Sequence, residues 1–163
     1  MNERYVVQEK FPPLGVEGQK LLRKSSVVLV GVGGLGSFIA QYLVRAGVGR
    51  LRMIDFDVIE LSNLQRQVLY DEGDVGKSKV QCAYAHLRRI NSEVTLEPVE
   101  DKLTGQNAES LLTGFDVILD GTDNYQARFV MNDMAKKNGI PFAFGSVAGA
   151  YGMSKMFLPD EKI

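Results

Sequence analysis

Apolar residues follow two alternating patterns along the chain, short continuous runs and longer helical spacings. Residues 26–30 and 117–119 are short apolar runs, typical of strands in a parallel sheet that is covered on both faces, and residues 51–54 give a further strand that ends at Asp55. Residues 35–46 instead carry apolar side chains three and four positions apart and end at Gly47, which predicts a helix with a glycine stop. This alternation predicts a doubly wound α/β fold with a mostly parallel sheet flanked by helices.

The same two patterns extend over the rest of the chain. They predict further helices at about residues 15–24, 77–90, 108–112 and 125–137, and further strands at about 94–98, 140–145 and 151–158. Residues 57–76 are polar and rich in turn residues, which predicts a loop. No repeat, low-complexity tract or flexible linker interrupts the chain, so we expect residues 1–163 to form one domain.

Composition and charge narrow the class of function. The formal net charge of -1 supplies no overall cationic field for nucleic acid or anionic lipid. No apolar run approaches the roughly 20 residues that span a bilayer, and the start of the chain does not resemble a signal peptide. We therefore expect a cytoplasmic protein that binds neither nucleic acid nor membrane. The single cysteine, Cys82, and the single histidine, His86, lie in a helical segment, where we interpret the cysteine as a core residue and the histidine as packed or superficial.

A glycine-rich segment, Gly31-Val-Gly-Gly-Leu-Gly36, joins the first strand to the helix that follows. Without side chains, the backbone can turn sharply and a phosphate can approach the amides at the helix N-terminus. Asp55 ends the second strand about twenty residues further on, where a carboxylate accepts hydrogen bonds from both ribose hydroxyls. These features predict a Rossmann-like nucleotide site and do not choose between ATP and NAD. Asp57 is either a helper of Asp55 or a solvated acid.

The loop Ser62-Asn-Leu-Gln-Arg-Gln67 is dense in planar side chains that form hydrogen bonds. Arg66 is either a phosphate clamp, because a guanidinium is always charged and binds two oxygens at once, or a surface arginine paired with an acid. Lys77 and Lys79 begin the next predicted helix. Residues two apart on a helix do not face the same way, so at most one of these lysines enters a common site.

The segment Asp120-Gly-Thr-Asp-Asn124 places two carboxylates around a glycine turn at the carboxyl end of a strand. Ligands bind at this edge in open parallel sheets, and Mg²⁺ prefers hard oxygen donors near phosphates. Asp123 is thus either a magnesium ligand or the N-cap of the helix that starts near Tyr125. The residues alone leave both interpretations open.

Six motifs stand in order along the chain. They are Gly31-Val-Gly-Gly-Leu-Gly-Ser37, Arg45-Ala-Gly-Val-Gly49, Asp55-Phe-Asp57, Leu61-Ser-Asn-Leu-Gln-Arg-Gln67, Gly76-Lys-Ser-Lys79 and Gly121-Thr-Asp-Asn124. Together they closely resemble the ThiF/MoeB/HesA family, the bacterial relatives of ubiquitin-activating enzymes, from about Arg4 to the last residue. The resemblance implies ATP-dependent adenylation of the C-terminal carboxylate of a ubiquitin-like sulfur-carrier protein, on the path to thiamine or molybdopterin-type products.

The resemblance also implies roles for individual residues. With ATP as the nucleotide and Mg²⁺ as its ion, Arg66, Lys79 and Asp123 would be the catalytic residues, and Asp123 would be the metal ligand. The residues that the resemblance implies for nucleotide binding are Gly31, Gly33, Gly34, Asp55, Asp57, Asn63, Arg66, Gln67, Lys79 and Asp123.

Two departures from the family pattern affect these expectations. The family commonly begins Arg-Tyr-x-Arg-Gln, and the second arginine enters the ATP site of the other subunit of a homodimer, whereas this chain has Val7 there. Either Arg4 or another cation substitutes, a different partner supplies the charge, or adenylation is weakened. The chain also stops at Ile163, before the two Cys-x-x-Cys zinc pairs of the family, so we expect a truncated domain that holds no structural zinc and self-associates.

Two other functions remain as alternatives to adenylation. An NAD-dependent oxidoreductase would use the same glycine segment and Asp55. A non-catalytic, nucleotide-binding partner subunit is favoured by Val7 and by the short chain.

Overall fold

The structure of the protein is a computed structural model that describes residues 3–159. The strands in this range are β1 (Ser26–Val30), β2 (Arg50–Ile54), β3 (Thr95–Val99), β4 (Val117–Asp120), β5 (Phe142–Ala148) and β6 (Tyr151–Phe157). The α-helices are α1 (Val6–Glu9), α2 (Gly15–Leu22), α3 (Gly34–Ala46), α4 (Lys79–Ile90), α5 (Ala108–Leu112) and α6 (Tyr125–Asn138). Short 3₁₀ helices occupy Glu3–Tyr5, Leu61–Asn63 and Glu72–Asp74.

The strands form one sheet in the order β3-β2-β1-β4-β5-β6. Neighbouring strands are parallel except for β5 and β6, which form an antiparallel hairpin. In the central strand β1, Val30 is in register with Ile54 of β2 on one side and with Asp120 of β4 on the other. The strand order reverses between β1 and β4, and ligands of doubly wound sheets bind outside the carboxyl ends at such a point. The predicted doubly wound, mostly parallel fold is confirmed.

Successive side chains of β1 pack into two separate cores. Val27 and Leu29 lie in a cluster that includes residues of α3 and α4, whereas Val28 and Val30 lie in a cluster that includes residues of α5 and α6. Both faces of the strand are therefore covered, which explains why its sequence is continuously apolar. Burying each such side chain contributes about 1.5–3 kcal/mol, so this strand anchors the loop that follows it.

Helix α4 begins at Lys79, two residues later than the sequence predicts. Ser78 has extended backbone angles and bridges to Val58, and the Lys77 N–H donates to the Asp74 carbonyl. Residues 77 and 78 are therefore held by the preceding loop instead of the helix. Short 3₁₀ helices with capping boxes also give regular structure to the segment that was predicted to be a loop.

The N-terminal helices before β1 pack against the C-terminal end of α3. Gly47 caps α3 with a φ of 84°, and a Cβ built on it would lie 2.5 Å from the Tyr5 ring. The glycine stop therefore serves both the helix end and the buried tyrosine. Helix α1, with four residues, was not predicted. No helix within residues 3–159 is both long and apolar enough to cross a membrane.

Candidate nucleotide site

A crevice of about 840 Å³ opens at the carboxyl ends of β1, β2 and β4. Ligand pockets of proteins typically measure about 300–1,000 Å³, so the crevice has room for a nucleotide. The structure brings every predicted site residue to its wall, although their roles remain predictions. The lining includes Gly31, Gly33, Gly34, Asp55, Asp57, Asn63, Arg66, Gln67, Lys79 and Asp123.

Three glycines, which we call the glycine floor, bring three backbone segments into contact at the bottom of this crevice. Gly31 has a φ of 84°, and a Cβ built on Gly36 would lie only 1.9 Å from the Gly31 carbonyl oxygen. A Cβ on Gly121 would lie 2.4 Å from the same oxygen. The loops after β1 and β4 therefore touch without an intervening side chain. This contact fixes the glycine segment relative to the loop that carries Asp123.

Asp55 is buried, and each of its carboxylate oxygens accepts one backbone hydrogen bond. Oδ2 accepts from the Val32 N–H at 2.8 Å, and Oδ1 accepts from the Asp57 N–H at 2.9 Å. Burial raises the pKa of the Asp55 carboxyl, while these two N–H groups and the charge of Lys79 oppose that rise. Because a carboxylate has about four acceptor positions, Asp55 still has capacity for ribose hydroxyls.

Lys79 reaches the crevice from the first turn of α4, and its side chain is only 8% exposed. Its Nζ lies 2.7 Å from Asp57 Oδ2, so Asp57 holds the lysine at the crevice wall. Lys77 is absent from the lining, and its side chain is 62% exposed near Asp74. Only one of the two lysines lines the crevice, as the sequence predicts, but the reason is that Lys77 precedes the helix.

Arg66 extends over the glycine segment from the loop after β2. A Cβ built on Gly34 would lie 3.6 Å from the Arg66 Cδ. The guanidinium donates to the Ser62 carbonyl at 3.2 Å and forms no ion pair among residues 3–159. Arg66 is thus not the acid-paired surface arginine that was the alternative interpretation. Its charge is available to an anion in the crevice.

Gln67, in the same wall of the crevice, has a buried acceptor that lacks a hydrogen-bond donor. The residue is 3% exposed, and its Oε1 is buried without a hydrogen-bond partner in the part of the chain that the structure describes. Its Nε2 lies 3.6 Å from the position of a Cβ on Gly33, beside the glycine segment. An unsatisfied buried acceptor costs about 1–3 kcal/mol, so a ligand or water that donates to it would be stabilised here.

The loop after β4 excludes one of the two interpretations of Asp123. Asn124 is the N-cap of α6, because its Oδ1 accepts from the Gln126 N–H at 2.8 Å and from the Ala127 N–H at 3.3 Å. The interpretation of Asp123 as the cap is therefore wrong. Its carboxylate is exposed at the crevice and has no hydrogen-bond or ion-pair partner within residues 3–159. Such a hard oxygen donor fits Mg²⁺ beside a phosphate.

Arg128, which was not predicted as a site residue, lines the crevice from α6. Its Nε lies 2.9 Å from Oδ2 of Asp120, whose side chain is completely buried. Its Nη2 donates to the Thr122 carbonyl at 2.7 Å and to the Gly145 carbonyl at 3.3 Å. Arg128 therefore ties the loop that carries Asp123 to both β4 and β5. No local signal indicates this role, because the partners of Arg128 lie on β4 and β5.

Lys102 and Asp101, which follow β3, also line the crevice and were not predicted. The Lys102 Nζ lies 5.5 Å from the centre of the Phe56 ring, which follows β2. The signal was the same as for Asp55, a polar residue just past the carboxyl end of a strand. This signal could not be used for Lys102 and Asp101, because the sequence alone does not show that β3 lies beside β2.

Cys82 and His86 both lie outside the crevice. Cys82 is part of the core, and burial raises the pKa of its thiol, which disfavours a thiolate nucleophile. The Nε2 of His86 lies 2.7 Å from Asp74, and its Nδ1 contacts Arg89. The structure therefore places the histidine on α4, partly buried and hydrogen-bonded to Asp74.

A glycine segment between β1 and α3, an acid after β2 and a crevice where the strand order reverses define a Rossmann-like domain with a candidate nucleotide site. The chain belongs to the ThiF family, which it matches over residues 5–162.

Two curated relatives and one solved structure illustrate the similarity. The chain is 43% identical over 163 residues to the sulfur carrier protein ThiS adenylyltransferase of Bacillus subtilis, covering 99% of this chain and 48% of that protein. It is 40% identical over 157 residues to the SAMP-activating enzyme E1 of Haloferax volcanii, covering 96% and 57%. The crystal structure of E. coli MccB with ATP superposes with a TM-score of 0.89 at 25% identity, covering 99% and 50%. The chain thus spans about half the length of the proteins it matches.

Proposed function

We propose that this chain is the nucleotide-binding part of an enzyme that uses ATP and Mg²⁺ to adenylate the C-terminal carboxylate of a ubiquitin-like sulfur-carrier protein. The main observation in support of this proposal is that two cations, Arg66 and Lys79, and an exposed acid, Asp123, surround the same glycine segment. A hydride-transfer enzyme has no need for this set, which argues against the NAD-dependent alternative. The names of the relatives, a ThiS adenylyltransferase and a SAMP-activating enzyme, support the proposal.

The nucleotide would lie across the carboxyl ends of the strands. Its phosphates would accept hydrogen bonds from backbone amides at the N-terminus of α3, where the helix carries partial positive charge. Its ribose would contact Asp55, and the Gln67 and Asn63 side chains would line the same pocket. Asp123 would hold Mg²⁺, which would supply positive charge to the phosphates.

The reaction brings anions together, so positive charge and positioning are what the protein must supply. A carboxylate oxygen of the carrier forms a bond to the α-phosphorus, the bond from this phosphorus to the bridging oxygen breaks, and pyrophosphate leaves. Arg66 and Lys79 would stabilise the charge that accumulates on the phosphates. No general base is required, because a terminal carboxyl with a pKa of about 3.5 is already ionised at neutral pH.

We expect ATP with Mg²⁺, and not NAD, to bind this chain. One phosphate cradle, one ribose acid and two cations match a nucleoside triphosphate, whereas NAD presents only two phosphates to the same cations. Isothermal titration calorimetry with each ligand measures the preference, and adding chelator tests the contribution of Mg²⁺. NAD binding without any response to ATP and Mg²⁺ would show that the proposal is wrong.

Carrier-dependent ATP–pyrophosphate exchange tests the reaction itself in the intact protein. The probe is the ThiS protein of Bacillus subtilis, because a ThiS adenylyltransferase of that organism is similar to this chain. A matched ThiS with an amidated C-terminus lacks the attacking carboxylate and should give no exchange. Equal exchange with both forms of ThiS would contradict carboxylate adenylation. ATP binding without exchange would instead favour the non-catalytic partner subunit.

A homodimer is part of the same proposal. The side chain of Val7, at the family arginine position, is 77% exposed on α1, so it supplies surface and no charge. Phe11, Leu21 and Tyr42 are also large, apolar and exposed on the N-terminal segment and α3. Large apolar side chains exposed in this way are available for an interface with another subunit. Arg4, the residue considered above as a substitute for the family arginine, donates a hydrogen bond to the Ile90 carbonyl at 3.0 Å.

A further inference from the structure

The peptide unit that joins Val32 to Gly33 is held by a tyrosine on its core side, away from the crevice. Tyr70 is buried in the core beneath the crevice and does not line it. Its hydroxyl donates to the Val32 carbonyl at 2.8 Å. The Val32 N–H is held by Asp55. Both polar backbone groups of Val32 are therefore fixed by side chains, and its own side chain is fully buried.

Because a peptide unit is planar, the contact that fixes the Val32 carbonyl also fixes the direction of the Gly33 N–H. In a trans peptide, the carbonyl of one residue and the N–H of the next point in opposite directions. Because the Val32 carbonyl points into the core toward Tyr70, the Gly33 N–H points the other way, toward the crevice that Gly33 lines. This N–H has no acceptor within residues 3–159.

We infer that Tyr70 is a positioning residue that aims the Gly33 N–H at a phosphate of the bound nucleotide. The inference rests on the proposed function, since it requires phosphates over the glycine segment. Without the hydroxyl, the Val32 carbonyl loses the donor that fixes it, and the peptide that joins Val32 to Gly33 is free to rotate. The aim of the amide would then be lost while the rest of the crevice stays formed.

Two properties make Tyr70 suitable for this task. Burial, together with the nearby charge of Asp55, raises the pKa of Tyr70, which favours the protonated hydroxyl that donates this hydrogen bond. The ring is held in the same core cluster as Val32, so the donor has a fixed position. Tyr70 can thus be changed to phenylalanine with loss of only one oxygen atom.

The test compares Tyr70→Phe with Tyr5→Phe. Tyr5 is a matched control because it is also buried, and its hydroxyl accepts one hydrogen bond from Asn91 Nδ2 at 2.8 Å, far from the crevice lining. Calorimetry would measure the affinity for ATP, which carries phosphates, and for adenosine, which lacks them. We expect Tyr70→Phe to weaken ATP binding by about fivefold to tenfold, the effect of one lost hydrogen bond, and to leave adenosine binding within about twofold. Tyr5→Phe should change neither affinity.

The outcomes separate the inference from the function on which it rests. Equal losses for ATP and adenosine, or an unchanged ATP affinity in Tyr70→Phe, would overturn the role of Tyr70 and leave the function standing. Failure of the unaltered protein to bind ATP would overturn both. A second measurement needs no variant: in amide NMR, the Gly33 resonance should shift when ATP is added and not when adenosine is added. An unmoved Gly33 resonance with bound ATP would also overturn the inference.

Discussion

Alanine in place of Lys79 or of Arg66 lowers carrier-dependent pyrophosphate exchange in the intact protein by at least about tenfold. Each change removes a positive charge from the proposed reaction, in which a carboxylate would attack a phosphate and a pyrophosphate would depart. Lys77→Ala is the control, because Lys77 is two residues away, is 62% exposed and does not line the crevice. Exchange rates at saturating and at limiting ATP separate lost binding from lost rate. Equal losses for the two lysines would mean that the crevice assignment is wrong.

The ion pair of Lys79 gives this experiment a second step. Removing Lys79 also leaves the Asp57 carboxylate without the Nζ that lies 2.7 Å from it, so an uncompensated anion faces the phosphates. Lys79→Ala with Asp57→Asn removes both charges. Recovery of exchange in this double variant, relative to Lys79→Ala alone, measures how much of the loss comes from the exposed anion. A double variant no better than the single one assigns the whole loss to the missing cation.

Arg128→Ala lowers the free energy of unfolding by about 3–5 kcal/mol, the typical cost of leaving a buried charge without its partner. The charge in question is Asp120, whose side chain is completely buried and pairs with Arg128 at 2.9 Å. Urea denaturation followed by circular dichroism measures the loss. Lys20→Ala is the control, because its pair with Glu17 is exposed and contributes at most about 1 kcal/mol.

A second variant shows whether the buried charge causes this loss. Arg128→Ala with Asp120→Asn removes both charges, so it should recover part of the stability that Arg128→Ala alone loses. The amide of asparagine can still accept from the Thr122 N–H and hydroxyl, which Asp120 Oδ1 now accepts at 2.8 Å. If Arg128→Ala unfolds with nearly the same free energy as the unaltered protein, water solvates Asp120 and the pair is not structural.

Local patterns account for the parts of the fold that were predicted. The run Val27–Val30 is apolar at every position because both faces of its strand are covered, so the central strand was visible without any tertiary information. The glycine segment and Asp55 follow from the ends of strands, which are equally local. The crevice residues that were predicted come from motifs that each lie within one element or loop.

The missed features depend on contacts between distant segments. The close approach of Gly121 to Gly31 and the bond from Arg128 to Gly145 exist only once β4 has been placed beside β1 and β5. Asp123 was ambiguous because aspartate and asparagine both cap helices well, and a shift of one residue in the start of α6 decides between them.

The ends of other helices were also difficult to predict from the sequence. Helix α4 begins after Ser78, whose pairing with Val58 is a contact across twenty residues of loop, so helical spacing alone placed its start too early. Helix α1 is only four residues long, which is too short for any periodic pattern. The antiparallel pairing of β6 with β5 was not predicted, although the short connection between the two strands excludes a parallel crossover.

The glycine floor has a consequence for the entropy of binding. Its three backbone segments are in contact, and the polar groups beside them, on Asp55 and Asp120, already have their partners before any ligand arrives. Ordering on binding is therefore confined to exposed side chains at the rim, chiefly Arg66 and Asp123, at about 0.5–1.5 kcal/mol for each long side chain that is immobilised. A nucleotide would meet a floor that is already rigid, and most of its interaction energy would remain available for affinity.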